Sequence, residues 1–67
     1  MTPINLRWKR VDDNVFLTHW REYILRLRHS PSGWIVSHEI EGGAWKPIVG
    51  APTRLEAERK AAEWCAK

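Results

Sequence analysis

Two runs of strict alternation flank a four-residue turn, and one register reconciles them. In YILRLRH, residues 23–29, Tyr23, Leu25, Leu27 and His29 share one side, and Ile24, Arg26 and Arg28 the other. In WIVSHEI, residues 34–40, Trp34, Val36, His38 and Ile40 share a side opposite Ile35, Ser37 and Glu39. The intervening Ser30-Pro31-Ser32-Gly33 is turn chemistry, because proline presets φ and glycine supplies the left-handed position. Setting His29 opposite Trp34 pairs Leu27 with Val36, Leu25 with His38 and Tyr23 with Ile40. A slip of one residue would send one strand's apolar set to the wrong side, so the register is strongly specified.

The same logic extends toward the C-terminus. Gly42-Gly43 is a two-residue hairpin signal. It predicts Ile40 opposite Trp45, Glu39 opposite Lys46 and Val36 opposite Val49. Pro47 has no N–H to give a neighbour, so this third strand should be an edge. Thr53, followed three residues later by Glu56 and preceded by Pro52, is a capping box that opens a helix from Arg54 to about Ala66. Leu55, Ala57, Ala61, Ala62, Trp64 and Cys65 form its apolar side, and the small alanines suit close approach to a sheet. Residues 1–22 are less determined. NLRWKRV alternates Leu6 and Trp8 against Arg7 and Lys9 as an extra strand would, Asp12-Asp13-Asn14 is a turn, and VFLTHW is a short extended piece that could lie beside the Tyr23 strand. The expectation is a single α+β domain over residues 1–67: a three-stranded, or four-stranded, antiparallel sheet packed against one C-terminal helix.

A chain of 67 residues has little interior and needs reinforcement. An internal disulfide is excluded, since Cys65 is the sole cysteine. Five tryptophans supply bulk instead, with Trp34, Trp45 and Trp64 expected in the core and Trp8 and Trp20 unplaced. Oligomerisation is the other common remedy. A lone cysteine and an N-terminus without an apolar run fit a cytoplasmic protein with no membrane segment.

No catalytic or metal-binding pattern emerges. His19, His29 and His38 are too dispersed for a zinc motif, and His38-Glu39 does not begin an HExxH because Gly42 occupies the second histidine's place. Nucleophile-elbow, Walker and dinucleotide motifs are missing, so neither an enzyme nor a cofactor is expected. Cys65 is expected to act as a small buried hydrophobe.

Binding remains. The net charge is +3, and the excess is confined to the first 28 residues, where Arg7, Lys9, Arg10, Arg21, Arg26 and Arg28 stand against Asp12, Asp13 and Glu22. On the hairpin's outer face Arg26 and Arg28 lack opposing acids, whereas Glu39 can neutralise Lys46. Arginine's planar fork of donors suits phosphate and guanine. The order of three strands and a C-terminal helix, with GW opening the second strand and TRLEAERKAA after the third, resembles AP2-type DNA-binding domains and the N-terminal arm-binding domains of phage integrases. It is similar also to short phage and prophage proteins of β-β-β-α order. The resemblance covers about Tyr23 to Cys65 and implies a sheet laid in the major groove of duplex DNA. By position, the contacts would be Arg26, Arg28, Ser37 and Lys46, with Arg21 and Arg10 assisting from the upstream segment.

Two other readings use the same residues differently. A protein-interaction module, an inhibitor or adaptor, would use Trp8 and Trp20 or the isoleucines of the outer face, Ile24, Ile35 and Ile48, since tryptophan and arginine dominate such sites. A homo-oligomeric structural protein would pair copies through that face or through open strand edges.

Overall fold

The computed structural model describes residues 6–40 and 42–66. Five strands, β1 (Lys9–Asp12), β2 (Val15–Trp20), β3 (Tyr23–Ser30), β4 (Gly33–Glu39) and β5 (Trp45–Ala51), precede one helix, α1 (Arg54–Cys65). The strands form a single antiparallel sheet in chain order, a meander, and α1 returns across one side of it. The α+β class with a C-terminal helix is therefore as expected, but the sheet has five strands rather than three or four. The difference lies in VFLTHW. It forms a regular strand along the open edge of β3, with Val15 opposite Arg28, Leu17 opposite Arg26 and Trp20 opposite Tyr23. Its own alternation brings Phe16, Thr18 and Trp20 to the helix side. β1 then caps β2 as a short, irregular edge.

The central hairpin has the register its alternation dictates, with Leu25 opposite His38, Leu27 opposite Val36 and His29 opposite Trp34. Ile40 lies beyond the end of β4 and is 40% exposed, so the expected Tyr23–Ile40 pair does not form. Leu25, Leu27 and Val36 are fully buried beneath Ala57, Ala61 and Cys65 of α1. Alanine at the two central helix positions lets the helix backbone approach the sheet closely. Leu6, Trp8, Phe16, Trp20, Trp34, Ile48, Val49 and Trp64 ring this centre, partly buried. Trp34 and Trp64 thus pack as expected, and Trp8 and Trp20 join them. Leu55, assigned to the helix's inner side, is 79% exposed and points away. Two residues before Ala57, it lies about 200° around the helix from that first residue of the buried stripe of Ala57, Ala61 and Cys65.

The capping box is half realised: the Glu56 N–H donates to Thr53 Oγ1 at 3.3 Å, while the Glu56 carboxylate turns to Arg59 at 3.7 Å. Gly33, at the start of β4, has φ +132°, and a Cβ there would stand 2.5 Å from the Ala51 carbonyl oxygen. Only glycine lets the turn and the end of β5 meet so closely.

The β4–β5 pairing departs from the two-residue turn. The Ile40 N–H donates to Ala44 O at 2.8 Å, and the Gly43 N–H to Ile40 O at 3.1 Å. The hairpin therefore closes on Ile40 and Ala44, and its loop is one residue longer than Gly42-Gly43. Trp45 consequently faces Glu39 and Lys46 faces His38. The expected Val36–Val49 pair is nevertheless present, because a bulge at Ile48 absorbs the extra residue. Pro47 sits beside that bulge on an edge strand, where its missing N–H is tolerated.

Candidate functional site

The sheet has one side covered by α1 and one side that no described element covers. The pairings place three rows of side chains on the uncovered side. Leu17, Arg26, Ser37 and Pro47 cross the middle, continued on β1 by Lys9. Above them run Val15, Arg28, Ile35 and Gly50, with Asp12 at the β1 end. Below them lie His19, Ile24, Glu39 and Trp45.

The centre of this face is an arginine lying on a tryptophan. The Arg26 guanidinium sits 4.4 Å from the centroid of the Trp45 ring, which draws a cation to its electron-rich face. This contact exists because of the loop and bulge in β5: in the two-residue-turn register Trp45 would lie under the helix. Arg26 is half-buried, and its Nε is enclosed without a hydrogen-bond partner. Burial, with the neighbouring Arg28 charge, lowers its pKa from the ordinary arginine value. Among the described residues no carboxylate stands within ion-pair distance of Arg26 or Arg28. Around this pair Val15, Leu17, Ile24 and Ile35 are half-buried, and Arg28, Glu39 and Lys9 are exposed at the margins.

The other residues expected in a binding role are scattered. Ser37 is on the uncovered face but only 5% exposed, between Arg26 and Pro47. Lys46 is a correction: the register shift moves it to the helix side, beside His38. Ile48 is another, because the bulge turns it toward the core cluster. Arg10 is bound to Asp13 at 2.6 Å. Arg21 occupies the β2–β3 turn at φ +56°, with its guanidinium 5.4 Å from the Trp20 ring. Ile24 and Ile35 stand on the uncovered face as expected, whereas Trp8 and Trp20 pack on the covered side. Trp45, Leu17 and Val15 were not foreseen on this face. The alternation of VFLTHW could have revealed Leu17 and Val15 once it was aligned against β3. Nothing local marks the bulge that turns Trp45 outward.

Among the described residues, two open clefts flank the helix on the covered side. One, of about 280 Å³, is lined by Trp20, Arg21, Tyr23, Trp64 and Cys65. Cys65 is buried, and burial pushes its thiol pKa up against the opposing pull of the Arg21 charge. The other, of about 180 Å³, lies between Leu6, Trp8, Phe16 and Leu27 and the Arg54 and Glu58 side chains of α1. Arg54 is committed there, 5.0 Å from the Phe16 ring and 3.2 Å from Glu58. His38 stacks on Trp64 at 5.6 Å and meets the edge of Tyr23 at 5.7 Å, with its buried Nδ1 unpartnered. Among the described residues no three His, Cys, Asp or Glu side chains gather as a metal site, and no helix is long and apolar enough to cross a membrane. Compared with family models, curated proteins and solved structures, the chain finds no match.

Proposed function

We infer that this chain is a non-enzymatic protein-interaction module whose working surface is the uncovered face of the sheet. The observation that carries this reading is the half-buried Trp45 beneath Arg26, set among Val15, Leu17, Ile24 and Ile35. An apolar centre with an embedded tryptophan and arginine, and charges at the rim, is the composition of an interface hot spot.

Duplex DNA is the reading implied by the resemblance to AP2-type and integrase arm-binding domains, and the exposed Arg28 and Lys9 favour it. The remaining geometry weighs against it. Lys46 is on the far side, Ser37 is buried, Arg10 is held by Asp13, and Asp12 and Glu39 put negative charge on the face that would meet phosphate.

The two readings separate in one pair of measurements. A photoreactive phenylalanine analogue at Ile35 should yield a discrete protein adduct in cells. The same analogue on the far side of the helix, at Arg59, should not, and Trp45→Ala should abolish the Ile35 adduct. Random duplex DNA should show no saturable binding at about 50 mM salt. Micromolar DNA binding that fades by about 200 mM salt and is lost in the Arg26→Ala/Arg28→Ala double variant would overturn the reading in favour of DNA.

A further inference from the structure

We propose that the partner for the uncovered face is a second copy of this chain, the two sheets packing face to face as a two-fold symmetric sandwich. This rests on the reading of that face as a protein-docking surface and names its occupant. Three observations carry it: the arrangement of the rows, the state of the edges and the one-sidedness of the core.

The rows are self-complementary. A two-fold axis lying between the faces, and running across the strands at the middle row, inverts the order of the rows. It lays the His19, Ile24, Glu39, Trp45 row of one copy over the Val15, Arg28, Ile35, Gly50 row of the other. On β5 this sets Trp45, the bulkiest side chain of the face, over Gly50, which has none. A Cβ built at Gly50 would find no heavy atom nearer than Trp34 O at 3.8 Å, so the space above it is open. On the neighbouring strands Glu39 of one copy arrives over Ile35 of the other, one strand spacing of about 4.8 Å from Arg28 and within the reach of an arginine side chain. Each contact occurs twice, as a two-fold interface requires. The middle row brings the two Arg26 residues toward the axis, but each guanidinium leans toward its own Trp45. The two rows holding those tryptophans lie on opposite sides of the axis, so the like charges diverge.

Strand edges do not offer the same opportunity. β5 carries Pro47 and a bulge, and β1 is four residues long with a register break, features that obstruct edge-to-edge pairing. Among the described residues the covered side holds three fully buried large side chains, Leu25, Leu27 and Val36. A second sheet on the other side would give so small a chain the second apolar layer that sandwiches use.

The footprint sets the strength. Five strands about 4.8 Å apart and three rows about 7 Å apart cover on the order of 500 Å². With side-chain relief this reaches about 600–800 Å² per copy, near the lower bound for a specific interface. A reversible dimer with Kd on the order of 10 µM is expected.

Sedimentation equilibrium of the purified chain, from about 1 to 500 µM, tests this. A monomer–dimer equilibrium is expected. Gly50→Lys, Glu39→Lys and Arg28→Glu should each weaken it at least about tenfold with circular dichroism unchanged, and Glu39→Lys combined with Arg28→Glu should restore most of the affinity. A chain monomeric throughout this range overturns the proposal. The docking face itself then stands if the Ile35 crosslink reaches a different protein, and falls if there is no adduct. A dimer indifferent to all three single variants associates through another surface, which overturns the proposal. Failure of the charge swap to restore affinity overturns the stated pairing.

Discussion

The two faces of the sheet are built from the same strands, yet they hold their side chains on different terms. On the helix side Leu25, Leu27 and Val36 are sealed from water beneath Ala57, Ala61 and Cys65. On the other side the large apolar residues stop half-way, and among those described Ser37 is the buried side chain, at 5% exposure. The covered face is organised by the two-residue period in β2, β3 and β4, and β5 joins it through the consecutive Ile48 and Val49 at the bulge. The uncovered face depends on an interruption of that period, the loop and bulge in β5 that turn Trp45 outward onto Arg26. A sheet whose second face served only as a wet exterior would gain nothing by moving a tryptophan from core to surface.

If that contrast is right, the same chemical change should have unequal effects on the two sides. Leu27→Ala removes a fully buried side chain at the centre of the core and should cost about 2–5 kcal/mol. A domain this small rarely holds more than about 3–5 kcal/mol in total, so the variant should be largely unfolded by circular dichroism at room temperature. Ile35→Ala, in the neighbouring strand but on the uncovered face, should remain folded and cost less than about 1.5 kcal/mol in urea denaturation at low protein concentration. Equal losses would mean that both faces are packed in the free chain.

Gly33→Ala tests where the covered side is tightest. The substitution must bear φ +132° and a Cβ set against the Ala51 carbonyl, which joins the β3–β4 turn to the end of β5. A loss of at least about 2 kcal/mol is expected. An equivalent change at Gly50 meets open space and should cost less than about 1 kcal/mol, since only strand contacts adjust.

The same contrast explains what was legible in the sequence. The central hairpin, the edge position of the Pro47 strand and the helix with its Thr53 cap are local patterns, each confined to one short stretch of chain. The alternation of VFLTHW was visible too, but its strand needed a partner, and it became one only against the edge of β3. The outward Trp45 was not legible because it follows from a single residue of loop length. Gly42-Gly43 satisfies a two-residue turn and the longer loop equally well, with φ +90° and +81° at the two glycines. A shift of one residue exchanges every neighbour between faces. Arg26, Arg28, Ile24 and Ile35 were placed on the outer face because they sit in the secure hairpin. Lys46 and Ile48 differ because Lys46 lies in the shifted stretch of β5 between the longer loop and the bulge, and Ile48 is the bulge residue itself.

The Arg26–Trp45 contact can be measured directly. A double-mutant cycle with Arg26→Met and Trp45→Leu, read by urea denaturation, should give a coupling energy of about 0.5–1 kcal/mol, as for a cation stacked on a half-exposed ring. Methionine keeps most of the arginine stem, so the cycle isolates the guanidinium. A coupling of zero would leave Trp45 facing outward without a reason internal to the chain, and would sharpen the case that a partner holds it there.

The smallest effect is expected at the helix end of the covered face. Cys65 is buried at 6% exposure, and that burial outweighs the nearby Arg21 charge in raising its pKa. The ordinary thiol pKa of about 8.5 applies to the unfolded chain. The folded chain therefore keeps its proton at pH values where the unfolded chain has begun to lose it. Below about pH 8.5 the stabilising difference is fully present. It declines as the pH rises toward the folded-state value, because the thiolate can be solvated only by unfolding. Urea denaturation of the wild type and of Cys65→Ala at about pH 7 and pH 9.5 should show the wild type losing more stability than the variant. All other side chains are common to both proteins, so their contributions cancel in the difference. Parallel pH profiles would mean that the thiol is as well solvated in the fold as out of it, and that the last turn of α1 does not seal the sheet as Ala57 and Ala61 do.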